Sequence, residues 1–125
     1  MPRSMPIRAI RGAITVPDNS RTAILEATHA LLQALVEANG MSAGEVIAAT
    51  FSVTADLDQA YPAEAARDLG WTEAGLMCVQ EMRVEGTVNK CIRVQVLWET
   101  EQPQSAVTHR YLGGAASLRT DLLGG

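Results

Sequence analysis

The sequence predicts an α+β domain in which helices cover a mixed β-sheet. Segments rich in β-branched residues alternate with segments of helical periodicity, in the order β-α-β-α-β-β-α-β. Hydrophobic residues make up 47% of the 125 residues, which is enough for one packed core. We therefore expect a single domain over residues 1–125, with residues 1–6 and about 120–125 loosely held.

The first two elements are a strand and a long helix. Residues 7–16 are rich in β-branched residues, and alternation places Ala9, Arg11 and Ala13 on one face of the strand. A helix then begins after a cap at Asn19 or Ser20 and reaches about Asn39, where Gly40 can adopt the left-handed conformation that ends it. Its apolar stripe is predicted to consist of Ile24, Ala27, Leu31, Leu35 and Ala38.

The middle of the chain predicts a strand, a short helix and another strand. Residues 42–45 fit a capping box, and the strand over residues 46–54 follows directly. One face of that strand should carry Ile47, Ala49, Phe51 and Val53. Pro62 suits the first turn of a helix that runs through Leu69 and ends at Gly70. A third strand is predicted over residues 75–84.

Residues 90–99 are the clearest strand of the chain. Ile92, Val94, Val96 and Trp98 alternate with a second set that faces the other way, namely Cys91, Arg93 and Gln95. A helix is expected from Pro103 to residues 111–112, because proline is favoured in a first helical turn and two glycines follow. A short strand over residues 115–118 completes the prediction.

The charge distribution restricts the class of partner. The net charge of −4 argues against nucleic acid, because phosphate binding needs a basic surface. Nine of the ten basic residues are arginine, whose planar fork fits carboxylates, although genome composition also explains such a bias. No apolar run approaches a membrane span or a signal-peptide core, and the two cysteines suggest free thiols. These observations favour a cytoplasmic protein without a membrane partner.

Charged residues inside otherwise apolar strands are the clearest sign of a functional site. Arg11, Arg93 and Glu81 all occupy such positions. An ionised side chain there must be solvated, paired or ready to receive a ligand. An ordinary Arg93–Glu81 ion pair or a half-exposed sheet face explains each residue alone. Together, in an acidic protein, they favour a pocket that binds carboxylates.

The sequence offers little support for metal or nucleophile chemistry. Residues that could ligate a metal or act as a nucleophile stand far apart, namely His29, Cys78, Cys91 and His109. A Cys78–His109 pair remains possible, but no neighbouring residue supports it. His29 is expected at the surface or flank of the first helix and His109 in the last helix, neither with a functional role. Asp56, Asp58 and Glu64 are expected to form a solvated loop face, and we expect neither a metal nor a cofactor.

An ordered series of short fragments resembles a known enzyme family. The fragments are Ile10-Arg11-Gly12-Ala13, Asp56-Leu57, Tyr61-Pro62-Ala63, Ala66-Arg67, Cys78-Val79-Gln80-Glu81-Met82, Lys90-Cys91-Ile92-Arg93-Val94, Pro103-Gln104, His109-Arg110-Tyr111-Leu112 and Leu118-Arg119. Each fragment alone is weak, but their order and spacing from Ile7 to about Leu122 resemble the monofunctional trimeric chorismate mutases. These are small enzymes of the α/β class that rearrange chorismate to prephenate.

The resemblance implies an α/β barrel-like homotrimer, with active sites at the subunit interfaces and no cofactor. It implies catalytic roles for Arg93, Glu81 and Arg11. The implied substrate-binding residues are Tyr111, Cys78, Tyr61, Ala63, Arg67, Met77, Leu118 and Arg119. Of these, the segment from Tyr61 to Arg67 would come from the neighbouring chain, and Leu118 with Arg119 would form part of a mobile C-terminal cover.

Three departures from the family pattern concern the edge of the implied site. Glu64 stands where some relatives carry a lysine near the pocket mouth, which weakens a role for this position in holding an anion. Met77 replaces a small polar residue of some members, and the loop before Gly70 is one residue shorter. The central arginines and Glu81 are unaffected.

Two other functions remain open on the residues themselves. A non-catalytic trimeric module could use the same arginines to capture a small carboxylate metabolite, and it would not need Glu81 opposite them. A small deaminase or hydrolase of similar architecture would require a positioned water and a base. Turnover of chorismate separates the mutase from both.

Overall fold

Five strands form one mixed sheet, and two helices pack against it. The computed structural model describes residues 5–118. The elements are β1 (Ile7–Thr15), α1 (Arg21–Asn39), β2 (Val46–Val53), α2 (Ala63–Asp68), β3 (Gly75–Gln80), β4 (Cys91–Glu99) and β5 (Arg110–Leu112). Their order in the sheet is β3-β2-β4-β1-β5, with β4 antiparallel to both neighbours and the two outer pairs parallel. The predicted α+β fold class is confirmed.

The core lies between one face of the sheet and the two helices. Its largest buried side chains include Phe51, Trp71, Ile92 and Val96. Trp98 belongs to the same core, and its indole N–H donates to Glu45 Oε1 at 3.1 Å. The opposite side of the sheet is here called the open face, and among the described residues it carries a small buried cluster of Ala13, Cys91 and Ala115.

The helix α1 begins and ends where its capping residues predict. Ser20 Oγ accepts a hydrogen bond from Ala23 N at 3.1 Å, which satisfies one of the free amides of the first turn. Gly40 adopts φ +68°, and its N–H donates to Val36 O. The buried stripe differs from the prediction at its end, because Ala38 is only half-buried and Asn39 takes the buried position.

The predictions for β2 and β3 were wrong in two details. Ile47 is 39% exposed whereas Val46 is 4% exposed, because the pairing of β2 with β4 shifts register between Val46 and Ala48. A bulge of this kind moves one side chain to the opposite face. The strand β3 ends at Gln80 and does not extend to residue 84.

The types of secondary structure predicted for the end of the chain were wrong. Residues 103–112 do not form a helix: a short 3-10 turn (Gln104–Ala106) leads through residues 107–109 into β5. The predicted strand over residues 115–118 is replaced by a second 3-10 turn (Gly113–Ser117).

The outer edge of β1 explains why residues 103–112 do not form the predicted helix. The Gln104 side chain accepts from Ala9 N at 3.0 Å and donates to Ala9 O at 2.7 Å. The His109 ring accepts from Arg11 N at 2.9 Å, and β5 then continues along β1. Backbone groups along a sheet edge require partners, and this segment supplies them only when it is extended.

The two ends of the chain lie largely outside the described residues. Of the residues expected to be loose, only Met5 and Pro6 are described, and Pro6 O accepts from Thr100 N at 3.0 Å. Within residues 5–118, neither helix combines the length and the apolar character that crossing a bilayer requires.

Asn39 ties α1 to the segment before β5. Its side chain donates to Thr108 O at 2.9 Å and accepts from Thr108 N at 2.8 Å. We expect Asn39→Ala to lower the free energy of unfolding by about 1–3 kcal/mol, because both backbone groups lose a partly buried partner. Urea unfolding followed by circular dichroism, at one protein concentration, measures this loss. Gln33→Ala on the exposed face of α1 is the control, and an equal effect of both variants would contradict the role of Asn39.

Candidate active site

The two arginines predicted from the sequence occupy neighbouring strands on the open face. Arg93 of β4 lies opposite Ala13 of β1 and Ser52 of β2, and Arg11 lies opposite Gln95. Because Ala13 and Ser52 are small, they leave space beside the guanidinium groups. The result is a cavity of about 320 Å³, here called the arginine pocket, lined by Arg11, Gly12, Thr50, Ser52, Arg93, Val94, Gln95 and Tyr111.

Glu81 is the anionic partner of Arg93. Arg93 Nε lies 3.4 Å from Glu81 Oε1, and the two side chains are 39% and 27% exposed. Ser52 Oγ donates to the same carboxylate oxygen at 2.6 Å. The ion pair that the sequence analysis left open is therefore present, and it forms beside the arginine pocket.

The start of β4 is held in an unusual backbone conformation. Lys90 has φ +47°, a value that residues with a β-carbon rarely adopt. The Asp56 carboxylate accepts from Lys90 N at 3.0 and 3.1 Å, and Thr54 Oγ1 accepts from Cys91 N at 3.0 Å. These bonds fix the chain just before Arg93, so Asp56 has a structural role within its exposed loop.

Tyr111 reaches the arginine pocket from β5. It lies opposite Ala13 in the parallel pairing of β5 with β1. His109 precedes β5 in an extended segment and is half-buried, so the prediction that it lies in a helix was wrong. Its ring binds Arg11 N, which ties the strand that carries Arg11 to the segment that carries Tyr111.

A second cavity of about 460 Å³ lies at the β3 side of the sheet and is here called the tyrosine cavity. Tyr61, which is 73% exposed, lines it together with Cys78 and Arg21. Cys78 lies opposite Phe51 and packs against the core on the helix side of the sheet. The tyrosine cavity and the arginine pocket share no lining residue, so a single chain keeps Cys78 apart from the arginines.

The other residues of the predicted binding set fall in different places. Ala63 is buried in the core, whereas Arg67 is exposed on α2. Met77 is exposed on β3, and Leu118 packs against the small cluster on the open face. Arg119 lies outside the described residues.

Glu64 is paired, although the sequence analysis treated it as a solvated acid. The guanidinium of Arg21 on α1 hydrogen-bonds to its carboxylate and lowers the pKa of Glu64. The same ion pair raises the pKa of Arg21. The negative charge of Glu64 at this position is therefore offset by a cation from another helix.

In the part of the chain that the structure describes, the remaining acidic and nucleophilic side chains form neither a metal site nor a catalytic pair. Hydrogen bonds from Asn19 and Gln59 lower the pKa of Asp58. Burial raises the pKa of the Cys91 thiol, which keeps it protonated. Among residues 5–118, no three potential ligands cluster in a way that could hold a metal ion. The sheet order places Cys78 and His109 at opposite edges, so they form no pair within the chain.

Sequence reasoning missed several residues around the arginines. Thr50, Ser52 and Gln95 line the arginine pocket, and Arg21 pairs with Glu64. The one available signal was the alternation within each strand, which places residues 50 and 52 on a single face. Which of them lies opposite Arg93 depends on strand register, and the sequence does not reveal that register.

Comparison with known proteins gives consistent matches over nearly the whole chain. The family model described as chorismate mutase type I matches residues 7–122. Chorismate mutase AroH of Thermus thermophilus is 47% identical over 117 residues, which cover 93% of this chain and 96% of that protein. Chorismate mutase AroH of Bacillus subtilis (strain 168) is 41% identical over 119 residues, covering 94% of each.

A solved structure of a chorismate mutase from Clostridium thermocellum has the same fold. It superposes with a TM-score of 0.84 at 46% sequence identity, covering 86% of this chain and 96% of that one.

The ion pair between Arg21 and Glu64 predicts a specific pH dependence of stability. Because the pKa of Glu64 is lowered in the folded chain, its ionised form stabilises that state. The contribution is present above the ordinary pKa of a glutamate, about 4.3, and disappears as the pH falls through the lower folded value. We expect Glu64→Gln to cause a small loss of thermal stability at pH 7, and this loss should shrink steadily as the pH is lowered below the ordinary pKa of a glutamate.

Two further variants make this test specific. Glu37→Gln is the control, because it removes an exposed carboxylate of α1 that is not part of the ion pair. Arg21→Gln removes the partner of Glu64. In the Arg21→Gln background, Glu64→Gln should have little effect on the melting temperature. A full effect there would show that Arg21 does not cause the stabilisation.

Proposed function

The chain belongs to the type I chorismate mutase family, and we propose, from the arrangement of its arginine pocket, how its residues catalyse the family's reaction. It is an isomerase of aromatic amino acid biosynthesis that converts chorismate to prephenate. Family membership selects this function over the metabolite-binding module and the hydrolase. The observation that carries the assignment of residues is the single pocket shared by Arg11, Arg93 and Tyr111.

The reaction itself determines what the protein must supply. Chorismate is a dianion with an enolpyruvyl ether, and its rearrangement breaks one C–O bond as one C–C bond forms. No proton is transferred and no covalent intermediate with the enzyme is required. The enzyme therefore has to hold a compact conformer of the substrate and stabilise the charge that develops in the transition state.

Arg93 is assigned to the ether oxygen of the substrate. Negative charge grows on this oxygen as the C–O bond breaks, and a fixed cation there stabilises the transition state more than the ground state. The strand β4 is paired on both sides, which makes it a rigid support. The contact with Glu81 further restricts the guanidinium before substrate binds.

Arg11, Tyr111 and Glu81 are assigned to the other polar groups of the substrate. Arg11 can bind a carboxylate through two parallel hydrogen bonds, with the Tyr111 hydroxyl beside it. Glu81 accepts a hydrogen bond from the ring hydroxyl while partial positive charge grows on the ring. In this arrangement both arginines contact the dianionic substrate, and the Glu81 carboxylate accepts from its hydroxyl group.

A homotrimer would bring the two cavities of the fold together. The arginine pocket and the tyrosine cavity are separate within one chain. The open face also exposes Met77 and Val79 of β3, and packing against another copy would remove them from water. We place each active site between two chains, with the segment from Tyr61 to Arg67 of one chain facing the arginines of the next.

The remaining assignments follow the same proposal. Met77 and Leu118 border the site on the open face. As a biosynthetic enzyme of this family, the protein is proposed to be cytoplasmic. The acidic composition and the free thiols predicted from the sequence agree with that compartment, which keeps thiols reduced.

Arg93→Ala should be the most damaging single substitution. Loss of one oriented donor to developing charge costs about 2.7–4 kcal/mol, or about 100-fold to 1000-fold in turnover. Arg93→Lys should also lose most activity, because an ammonium group cannot reproduce the planar fork. The assay follows the loss of chorismate ultraviolet absorbance and identifies prephenate as the product.

Arg8→Ala, which removes an arginine of β1 outside the arginine pocket, is the control for this experiment and should retain wild-type activity. If Arg93→Ala keeps more than about a tenth of wild-type turnover, the assignment of Arg93 to the ether oxygen is wrong.

The trimer predicts a solution mass three times that of the 13.4 kDa chain. Sedimentation equilibrium measures this mass directly. Val79→Glu places a charge on the open face and should shift the protein to smaller species with lower activity. Gln33→Glu adds the same charge to the exposed face of α1 and should leave the mass unchanged. A wild-type protein that sediments as a single chain while active would contradict the shared site.

A further inference from the structure

We propose that Ser52 is a positioning residue that holds the Glu81 carboxylate in its reactive orientation; this inference rests on the proposed role of Glu81 in binding the ring hydroxyl. Ser52 is not part of the charged set that the sequence singles out. Its role follows from its place on the open face, between Glu81 and the arginine pocket.

The main contact is a short hydrogen bond to a charged acceptor. Ser52 Oγ donates to Glu81 Oε1 at 2.6 Å, a distance typical of hydroxyl–carboxylate bonds. Arg93 Nε approaches the same oxygen at 3.4 Å. Within residues 5–118, both polar contacts of the carboxylate are thus made by Oε1, and Oε2 is the oxygen that we assign to the ring hydroxyl of the substrate.

Glu81 needs such a support because of its position. It follows the last residue of β3, which is one of the two edge strands of the sheet, so strand pairing holds it on one side only. Its N–H donates to Val53 O at 2.8 Å, which fixes the backbone. The side chain still has three rotatable bonds, and freezing them only when substrate binds would weaken the interaction.

The register of the sheet brings Ser52 to this position. Ser52 lies opposite Arg93 on one side and Val79 on the other, and the alternation of β3, continued one residue past its end at Gln80, brings Glu81 to the same face as Val79. A hydroxyl on a central strand is a rigid donor, because the β2 backbone is paired on both edges. Its short side chain also leaves room for the Arg93 guanidinium.

Steady-state kinetics of purified variants test the proposal. Ser52→Ala should lower kcat by about tenfold or more, the size expected for a lost hydrogen bond to a charged group, with a smaller change in KM. Ser52→Thr keeps the hydroxyl and should recover most of the activity. Thr50→Val removes a hydroxyl from the same strand and face, and it should cost less than Ser52→Ala.

A double-mutant cycle separates positioning from a general structural effect. If Ser52 acts through Glu81, Ser52→Ala should change kcat/KM by less than about twofold once Glu81→Ala is present. Additive losses would overturn the proposal. So would an equal loss in Ser52→Ala and Ser52→Thr, because the hydroxyl would then be irrelevant.

Crystal structures of the wild-type and Ser52→Ala proteins provide a readout that does not depend on turnover. The Glu81 carboxylate should leave its position in the variant while the β2 backbone superposes. An unmoved carboxylate overturns the proposal even if activity falls. A wild-type protein that leaves chorismate unchanged, with the carboxylate displaced in the variant, would instead refute the role of Glu81 and leave its positioning by Ser52 intact.

Discussion

The active site depends on the register of one central strand. The strand β4 pairs antiparallel with β1 and with β2, so every residue along it is committed to one side of the sheet. Ile92, Val94 and Val96 enter the core, and Arg93 between them faces the opposite side. A slip by one residue would bury the guanidinium among aliphatic side chains and expose the core residues, which is strongly unfavourable. The packing of the core therefore also determines where the cation lies.

The same register assembles the surroundings of the cation from distant parts of the sequence. Ala13, Ser52 and Glu81 approach Arg93 from three different strands or strand ends. The start of β4 is tied down separately, by Asp56 and Thr54 around the strained backbone of Lys90. A reaction without proton transfer relies on fixed charges, and here Arg93 and Glu81 restrain each other while Ser52 holds the carboxylate.

The sequence predicted correctly those elements that are specified by neighbouring residues or whose two faces differ clearly in hydrophobicity. The caps of α1 and the strict alternation of β4 are of this kind, and so is the charge on Arg11 and Arg93 within apolar strands. The end of the chain was mispredicted, because β5 forms by completing the edge of β1, about a hundred residues earlier in the sequence. For the same reason, the sequence did not predict the role of Ser52 or the pairing of Arg21 with Glu64. Their roles depend on which residues face each other across elements, and composition and periodicity do not specify those pairs.

The placement of the aromatic residues has a practical consequence for spectroscopy. Trp71 and Trp98 are the two tryptophans of the chain, and both are buried on the helix side of the sheet. The arginine pocket opens on the other side, where Tyr111 is the aromatic residue of its lining. Tryptophan emission therefore reports on the core, and a ligand can fill the arginine pocket without changing this emission. A fluorescent probe of occupancy would have to be introduced on the open face.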